Sequence, residues 1–237
     1  MGVFPIRRPA LDYEREVTLK QKLEALHREL DACRACPKVV GPVVHGPPVR
    51  SPIYLVGQAP GPHEGDIGRP FAWTAGKTLF KWFQSALGVD EETVRKRVYM
   101  AAVLRCFPGK AKGGGDRRPA PDEIGRCRSF LAREVALLKP QLILPVGTMA
   151  IEQVLGRAVP LAEIIGVQQR LAYHGVEADV ICLPHPSGAS PWHKMEPGKT
   201  LLLKSLALIA AHPAAQRAFD LPPGRRRLPG LAPTPSA

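Results

Sequence analysis

Three groups of residues in this chain have the types and spacing to do chemistry. The stretch GQAPGPHEGDIGRPF, residues 57–71, puts two glycines and two prolines in its first six positions, follows them with Glu64 and Asp66, and ends on Phe71. Glycine lets a backbone approach a ligand closely because no Cβ stands in the way, so this reads as a binding loop. The stretch PHPSGASPWHK, residues 184–194, carries His185, Ser187, Trp192 and His193. Cysteines form the third group: Cys33 and Cys36 as a C-x2-C pair, Cys106 and Cys127 with twenty residues between them, and Cys182 inside an apolar run. Four thiolates can hold zinc or an iron–sulfur cluster. Spacing alone leaves both open and favours zinc, whose C-x2-C pairs are the commoner. Cys182 reads as a small buried hydrophobe.

The elements that must position these groups alternate between strand and helix. Residues 11–32 have mixed charge and leucines at helical spacing, which predicts an amphipathic helix. A Pro- and Gly-dense loop follows, then the apolar run IYLVG at 53–57. Further apolar runs lie at 98–104, 141–147 and 179–184, with helices expected at 75–88, 122–138, from Thr148, and at 199–212. Short continuous apolar runs suit strands buried on both faces. The expected fold is a three-layer α/β/α sandwich with a central, mostly parallel four-stranded sheet. Ligands bind such sheets beyond the carboxyl ends of the strands. The 57–61 turn, the loop after Cys106 and the PHPSGAS loop each follow a strand, so all three are expected at one edge.

With 237 residues and an apolar fraction of 45 %, the chain fits one domain with tails. The expected organisation is an arm at 1–10, a single domain at 11–212 and a Pro/Arg-rich tail at 213–237 that is expected to be disordered. No run approaches the ~18 apolar residues of a membrane span. The opening MGVFPIRRPALDYERE has no apolar segment of the signal-peptide kind, so a cytoplasmic chain is expected. There structural disulfides are rare, which leaves the cysteines free for metal. The formal net charge of +12 suits a polyanionic partner, nucleic acid being the usual one, although part of it sits in the RRR at 225–227. The basic loop KAKGGGDRR, 110–118, is a second candidate for phosphate contacts.

Taken in order, these motifs resemble the uracil-DNA glycosylase superfamily, specifically its iron–sulfur branches, families four and five. Family four carries Gly-Glu-Ala-Pro-Gly, then a Glu, then Gly-Arg-Pro-Phe and Ala-Gly, and GQAPGPHEGDIGRPFAWTAG keeps that frame. HPS at 185–187 is similar to the second glycosylase motif, and the match runs from about Cys33 to His193. The resemblance implies a [4Fe-4S] cluster on Cys33, Cys36, Cys106 and Cys127, which overturns the preference for zinc. The Cys106–Cys127 interval is longer than the family's, with GGGDRR as the insertion. It also implies a monofunctional DNA repair enzyme, monomeric, that flips a deaminated base out of the helix and hydrolyses its N-glycosidic bond.

Roles follow from the resemblance. His185 would donate to uracil O2 and stabilise the departing anion, provided its other nitrogen is held by a backbone group. Phe71 would stack on the base, with Gly57, Ala59, Gly61 and Ala102 forming the rest of its pocket. Ser187, Gly188 and Ser190 would contact DNA. Family one positions water with an Asp where Ala59 stands here, and family four has Glu where Gln58 stands. Gln58, Glu64 and Asp66 are therefore the candidates for orienting water. The uracil-reading Asn of families one and four falls at Ala102, as in family five, which points to a broader range of deaminated bases. The Leu wedge of family one falls at Ala189, so Trp192 or His193 is expected to fill the gap left by the flipped base. A glycosylase acting mainly on deaminated purines, a catalytically impaired damage-binding module and an iron–sulfur redox protein are the alternatives; the HPS motif argues against the last.

Overall fold

Residues 10–222 are described by a computed structural model; the segments 1–9 and 223–237, including the RRR at 225–227, lie outside the described residues. In chain order the elements are α1 (Ala10–Asp31), β1 (Ile53–Gly57), α2 (Glu64–Ile67), α3 (Thr74–Leu87), α4 (Glu91–Arg97), β2 (Tyr99–Ala102), α5 (Pro121–Leu138), β3 (Leu142–Pro145), α6 (Thr148–Leu155), α7 (Leu161–Ile164), β4 (Gln168–Tyr173), β5 (Val176–Ile181), a 3-10 turn (Pro191–Lys194), α8 (Gly198–Ala211) and α9 (Pro213–Phe219). The strands order as β2-β1-β3-β5-β4, parallel except for β4 against β5.

Alternate side chains of the parallel strands feed two separate cores, as the two-residue period of a strand requires. Ile53, Leu55, Met100, Leu142 and Leu144 pack with α3, α4, α8 and α9 on one face. Tyr54, Val56, Tyr99, Ala101 and Ile143 pack with α1, α5 and α6 on the other. This is the three-layer sandwich, with five strands rather than four. The additional strand, β4, alternates exposed and half-buried residues and carries Gln168, Gln169 and Arg170. It is a polar edge strand, which is why no apolar run marks it.

The domain also continues past residue 212. The stretch 213–219, expected in the tail, forms α9, with Ala214, Ala215, Ala218 and Phe219 buried in the first core. His212 turns the corner: its Nδ1 accepts from the Ala214 N–H at 3.1 Å, and its Nε2 meets Asp179 Oδ2 at 3.0 Å. Among the described residues no helix is long and apolar enough to cross a membrane.

One charged pair lies fully inside the second face. Arg105, with 0 % exposure, donates from Nη2 to Glu134 Oε2 on α5, and Tyr54 OH donates to the same oxygen at 2.6 Å. Tyr54 stacks on Tyr99, whose hydroxyl meets His27 of α1 at 2.8 Å. Burial, with His45 and Arg105 adding positive charge, holds the His27 pKa down to about 3. A buried pair contributes little net stability, but removing one partner strands the other charge in low dielectric. Glu134→Ala is therefore expected to cost about 3–5 kcal/mol, read as a lower urea midpoint.

Candidate active site

The carboxyl ends of β1, β2, β3 and β5 open into a cleft of about 570 Å³. Its floor is strand backbone. Gly57 pairs with Ala102 in register, and the loops leave them in parallel through Val103 N–H to Gly57 O at 2.9 Å and Leu104 N–H to Gln58 O at 3.0 Å. Gln58, Ala59, Gly61, Phe71, Ala102, His185 and Ser187 all line this one space.

Phe71 is fixed by its backbone. Its φ is +53°, a left-handed conformation that costs a non-glycine residue about 1–3 kcal/mol unless its surroundings enforce it. Two neighbours enforce it. Arg95, buried on α4, donates to the carbonyls of Pro70 (2.9 Å) and Phe71 (3.0 Å), pairs with Glu91 (2.9 Å) and lies over the Phe80 ring at 4.7 Å. Gly76 lets the Phe71 carbonyl pass so close that a Cβ there would sit 1.7 Å from the oxygen. The Phe71 ring in turn lies against Gly57, where a Cβ would be 2.8 Å from Cζ.

Glu64 braces the same loop. Its carboxylate accepts from the Gly61 N–H at 2.7 Å and the Ala72 N–H at 2.9 Å, tying the two ends together. Burial pushes its pKa up, and these two amide bonds oppose the shift. Both oxygens are thus engaged in holding backbone. Asp66 is exposed and does not line the cleft, so its expected place beside the reacting atoms is corrected: α2 turns it to solvent.

His185 sits opposite with its tautomer determined. Ser187 N–H lies 3.3 Å from Nδ1, and Ser187 Oγ lies 2.8 Å from it. An amide only donates, so Nδ1 accepts and the proton of the neutral ring is on Nε2. Burial, with His193 adding to it, lowers the His185 pKa, while Asp116 opposes the shift. The ring packs on Gly147, where a Cβ would fall 2.9 Å from Cδ2. The site therefore offers a neutral N–H donor and an aromatic ring lining one cleft.

The four cysteines also converge. Cys33, Cys36, Cys106 and Cys127 line a second cavity, of about 370 Å³, together with Arg34 and Arg105. Burial, with Cys127, Cys36 and Cys33 alongside, pushes the Cys106 thiol up to about 11. The GGGDRR insertion, 113–118, leaves Cys127 in this group because α5 carries it back. Arg105, though paired with Glu134 through Nη2, keeps Nε and Nη1 buried without a hydrogen-bond partner, so the cavity wall holds two unused N–H donors. Among the described residues no three potential ligands are disposed to hold one metal ion. A cluster of irons and sulfides has volume of its own and sets its thiolates wider apart than a single ion does. The soft donor set and the two unpartnered guanidinium N–H groups fit an anionic cluster.

Residues 43–208 match the family model of the uracil DNA glycosylase superfamily. The chain belongs to that superfamily. It is 31 % identical to the Type-4 uracil-DNA glycosylase of Pyrobaculum aerophilum, over 70 % of this chain and 83 % of that protein. To the Type-4 uracil-DNA glycosylase of Archaeoglobus fulgidus it is 28 % identical, over 70 % of this chain and 82 % of the relative. To the Type-5 enzyme of Thermus thermophilus it is 29 % identical, over 56 % and 71 %.

Within this glycosylase fold the expected wedge residues turn inward. His193 is buried with its ring edge-on to Trp82 at 5.2 Å, and Trp192 is packed on Gly198. The 3-10 turn folds both toward α3 and α8, which corrects their expected place at the DNA surface. Met195, 62 % exposed, is the apolar side chain this loop does present. Gly188 is exposed, whereas Ser190 folds back to donate its N–H to Ser187 O at 3.1 Å. Sequence reasoning missed Arg95, Trp73 and Asp116. Trp73 is 46 % exposed at the cleft wall and lies against the His63 ring, tilted by 37° with centroids 4.3 Å apart; its signal was an aromatic one residue beyond the Phe71-Ala72 step. Arg95→Met and Gly76→Ala should each release the Phe71 turn. Arg95→Met removes two charged hydrogen bonds, each about 1.5 kcal/mol, and should lower the base-release rate by at least about tenfold, with melting measured alongside to separate this from unfolding.

Proposed function

We propose that this protein is a monofunctional glycosylase that flips uracil out of DNA and hydrolyses its N-glycosidic bond, leaving an abasic site. The observation carrying this reading is the neutral His185, with Nδ1 held by Ser187 and Phe71 in the same cleft. The names of the Type-4 and Type-5 relatives support it. Phe71 stacks on the flipped base, and backbone N–H groups of the 57–61 turn donate to its carbonyl oxygens. As the glycosidic bond breaks, negative charge grows on the base, and His185 Nε2–H donates to it. Fixed dipoles aimed at developing charge need no reorganisation at the moment of reaction. Gln58 orients water, and Glu64 holds the loop that contains it.

Specificity follows from what is missing. Ala102 presents a methyl group where a side-chain amide would read the base edge, and Gly61 leaves the far wall open. Hypoxanthine and xanthine are therefore expected substrates beside uracil, as a site without a polar reader discriminates weakly. The cleft does hold one lysine, Lys110, but its ammonium is paired with Asp116 at 2.6 Å. Borohydride should accordingly trap no covalent enzyme–DNA adduct. The enzyme acts as a monomer in the cytoplasm.

Cys33, Cys36, Cys106 and Cys127 hold a [4Fe-4S] cluster. When bound, it supplies a crosslink between the end of α1, the strand-β2 loop and α5, and no reaction step. Arg105, which lines the same cavity, would supply N–H donors toward it. Aerobically or anaerobically purified protein is expected to be brown, with iron and acid-labile sulfide in equal amounts. Cys127→Ala should lower both together with stability; zinc in place of iron would refute the assignment.

Excision from a single-uracil duplex tests the activity. His185→Ala is expected to lose about 100- to 1000-fold in single-turnover rate, the range for removal of one such donor. The pH profile carries a further expectation. Protonation would cost Nδ1 its ability to accept from Ser187, and the His185 pKa lies below the ordinary 6.5. The rate should therefore hold constant from neutrality down through pH 6.5 and fall only beneath it. Tight binding of uracil DNA without release would instead make the protein a damage-binding module.

A further inference from the structure

We infer that Asp116, on the hairpin inserted between Cys106 and Cys127, is the carboxylate that positions and deprotonates the attacking water. This rests on the glycosylase reading and supplies the acid that reading lacks. Neither Gln58 nor Ala59 can act as a base, and Asp66 is outside the cleft. Only two carboxylates line the cleft among the described residues, Glu64 and Asp116. Glu64 has both oxygens occupied by the Gly61 and Ala72 amides. Asp116 has Oδ1 on Lys110 at 2.6 Å, while Oδ2 points toward the 57–61 turn, 4.0 Å from where a Cβ on Gly61 would stand. Its charge also reaches His185 across the cleft. The carboxylate thus stands beside the base-binding turn, within the same cleft.

The insertion is built to hold it there. Lys110 and Asp116 form an antiparallel bridge, closed by Ala111 N–H to Gly115 O at 3.2 Å. Gly114 and Gly115 have φ of +83° and +69°, which ordinary side chains rarely adopt. Arg117, the next residue, fixes the base of the turn. Its guanidinium donates to both Glu123 oxygens at 2.8 and 2.9 Å and to Pro108 O at 2.9 Å. The glycines so reverse the chain, and the arginine anchors it, with the acid between them. A solvated loop would need neither.

In the proposed step the bond between C1′ of the sugar and N1 of uracil breaks, and its electron pair leaves on the base. The water oxygen bonds to C1′. One water proton passes to the Asp116 carboxylate and on to solvent, and the uracil anion later takes a proton from solvent. Water plus deoxyuridine thus gives uracil plus the abasic sugar, with no other reactant.

The experiment is single-turnover excision from a uracil duplex by the full-length, cluster-loaded protein, comparing wild type with Asp116→Asn and Asp116→Glu. Affinity for duplex carrying a non-cleavable abasic analogue and thermal melting are measured on the same samples. Asparagine keeps an oxygen for Lys110 and so preserves the hairpin. The expected result is a fall of about 100-fold in rate for Asp116→Asn, the low end for loss of a general base, with affinity and melting unchanged. Asp116→Glu should recover part of that rate. An active wild type with an equally active Asp116→Asn overturns the inference while leaving the glycosylase reading intact. So does a loss shared equally by both variants and accompanied by weaker binding or lower melting, which would make Asp116 a hairpin residue only. A wild type that releases neither uracil, hypoxanthine nor xanthine brings down both.

Discussion

The buried Arg105–Glu134 pair ties together most of what the molecule uses. Arg105 lies three residues beyond the end of β2 and precedes Cys106, and Glu134 lies on α5 two turns beyond Cys127. The pair therefore fixes the same two segments that carry the second half of the cysteine set. Tyr54 joins it from β1, the strand whose end becomes the base-binding turn. A charge with no access to water tolerates little movement, since displacement strands it in low dielectric. Two of the guanidinium nitrogens remain unpartnered, and the cysteine cavity is where anionic charge can satisfy them. The ion pair makes the sheet, α5 and the cluster cavity one rigid body.

The cleft is set on that body by backbone rather than by side-chain packing. Phe71 is forced left-handed, Gly57 and Gly76 give it room, and Arg95 grips two successive carbonyls. Glu64 performs the matching task on the other side by accepting two amides eleven positions apart in chain. Both are charged residues spent on loop geometry. That explains why an acid within a glycine-rich motif need not be the acid that reacts. It also explains why the slot is shaped before any base enters: its walls are held by bonds that a ligand does not have to form.

What was legible in the sequence was what is encoded locally. The apolar runs at 53–57, 98–104 and 141–147 announce buried parallel strands, and the loops that follow them meet at one edge because parallel strands share a direction. His185 and Phe71 were visible through their motifs. What was not legible depended on distant partners. β4 has no apolar run because only one of its edges is paired. α9 is short and built largely on alanine, so its burial in the first core shows only once α8 has placed it. Arg95 acts on carbonyls 24 and 25 positions away, and Trp192 and His193 were mistaken for surface residues because a 3-10 turn, not a loop, carries them. Asp116 is the one acid between Arg105 and Asp122, and in a basic stretch it read as a solvated exception.

The two sides of the reaction are held by different kinds of structure, and this has a physical logic. Leaving-group stabilisation demands a donor aimed at charge that forms only in the transition state, so its geometry must be rigid. His185 meets that demand on a loop at the end of β5, wedged on Gly147 and locked by Ser187. Placing a water is less exacting, because an electrophilic sugar captures any nucleophile close to its open face. A carboxylate on an anchored but solvent-facing hairpin suffices, and its exposure gives the captured proton a way out. The insertion that lengthens the interval between Cys106 and Cys127 thereby restores on a new segment the acid that the 57–61 turn no longer carries, without disturbing the strand ends that hold the base.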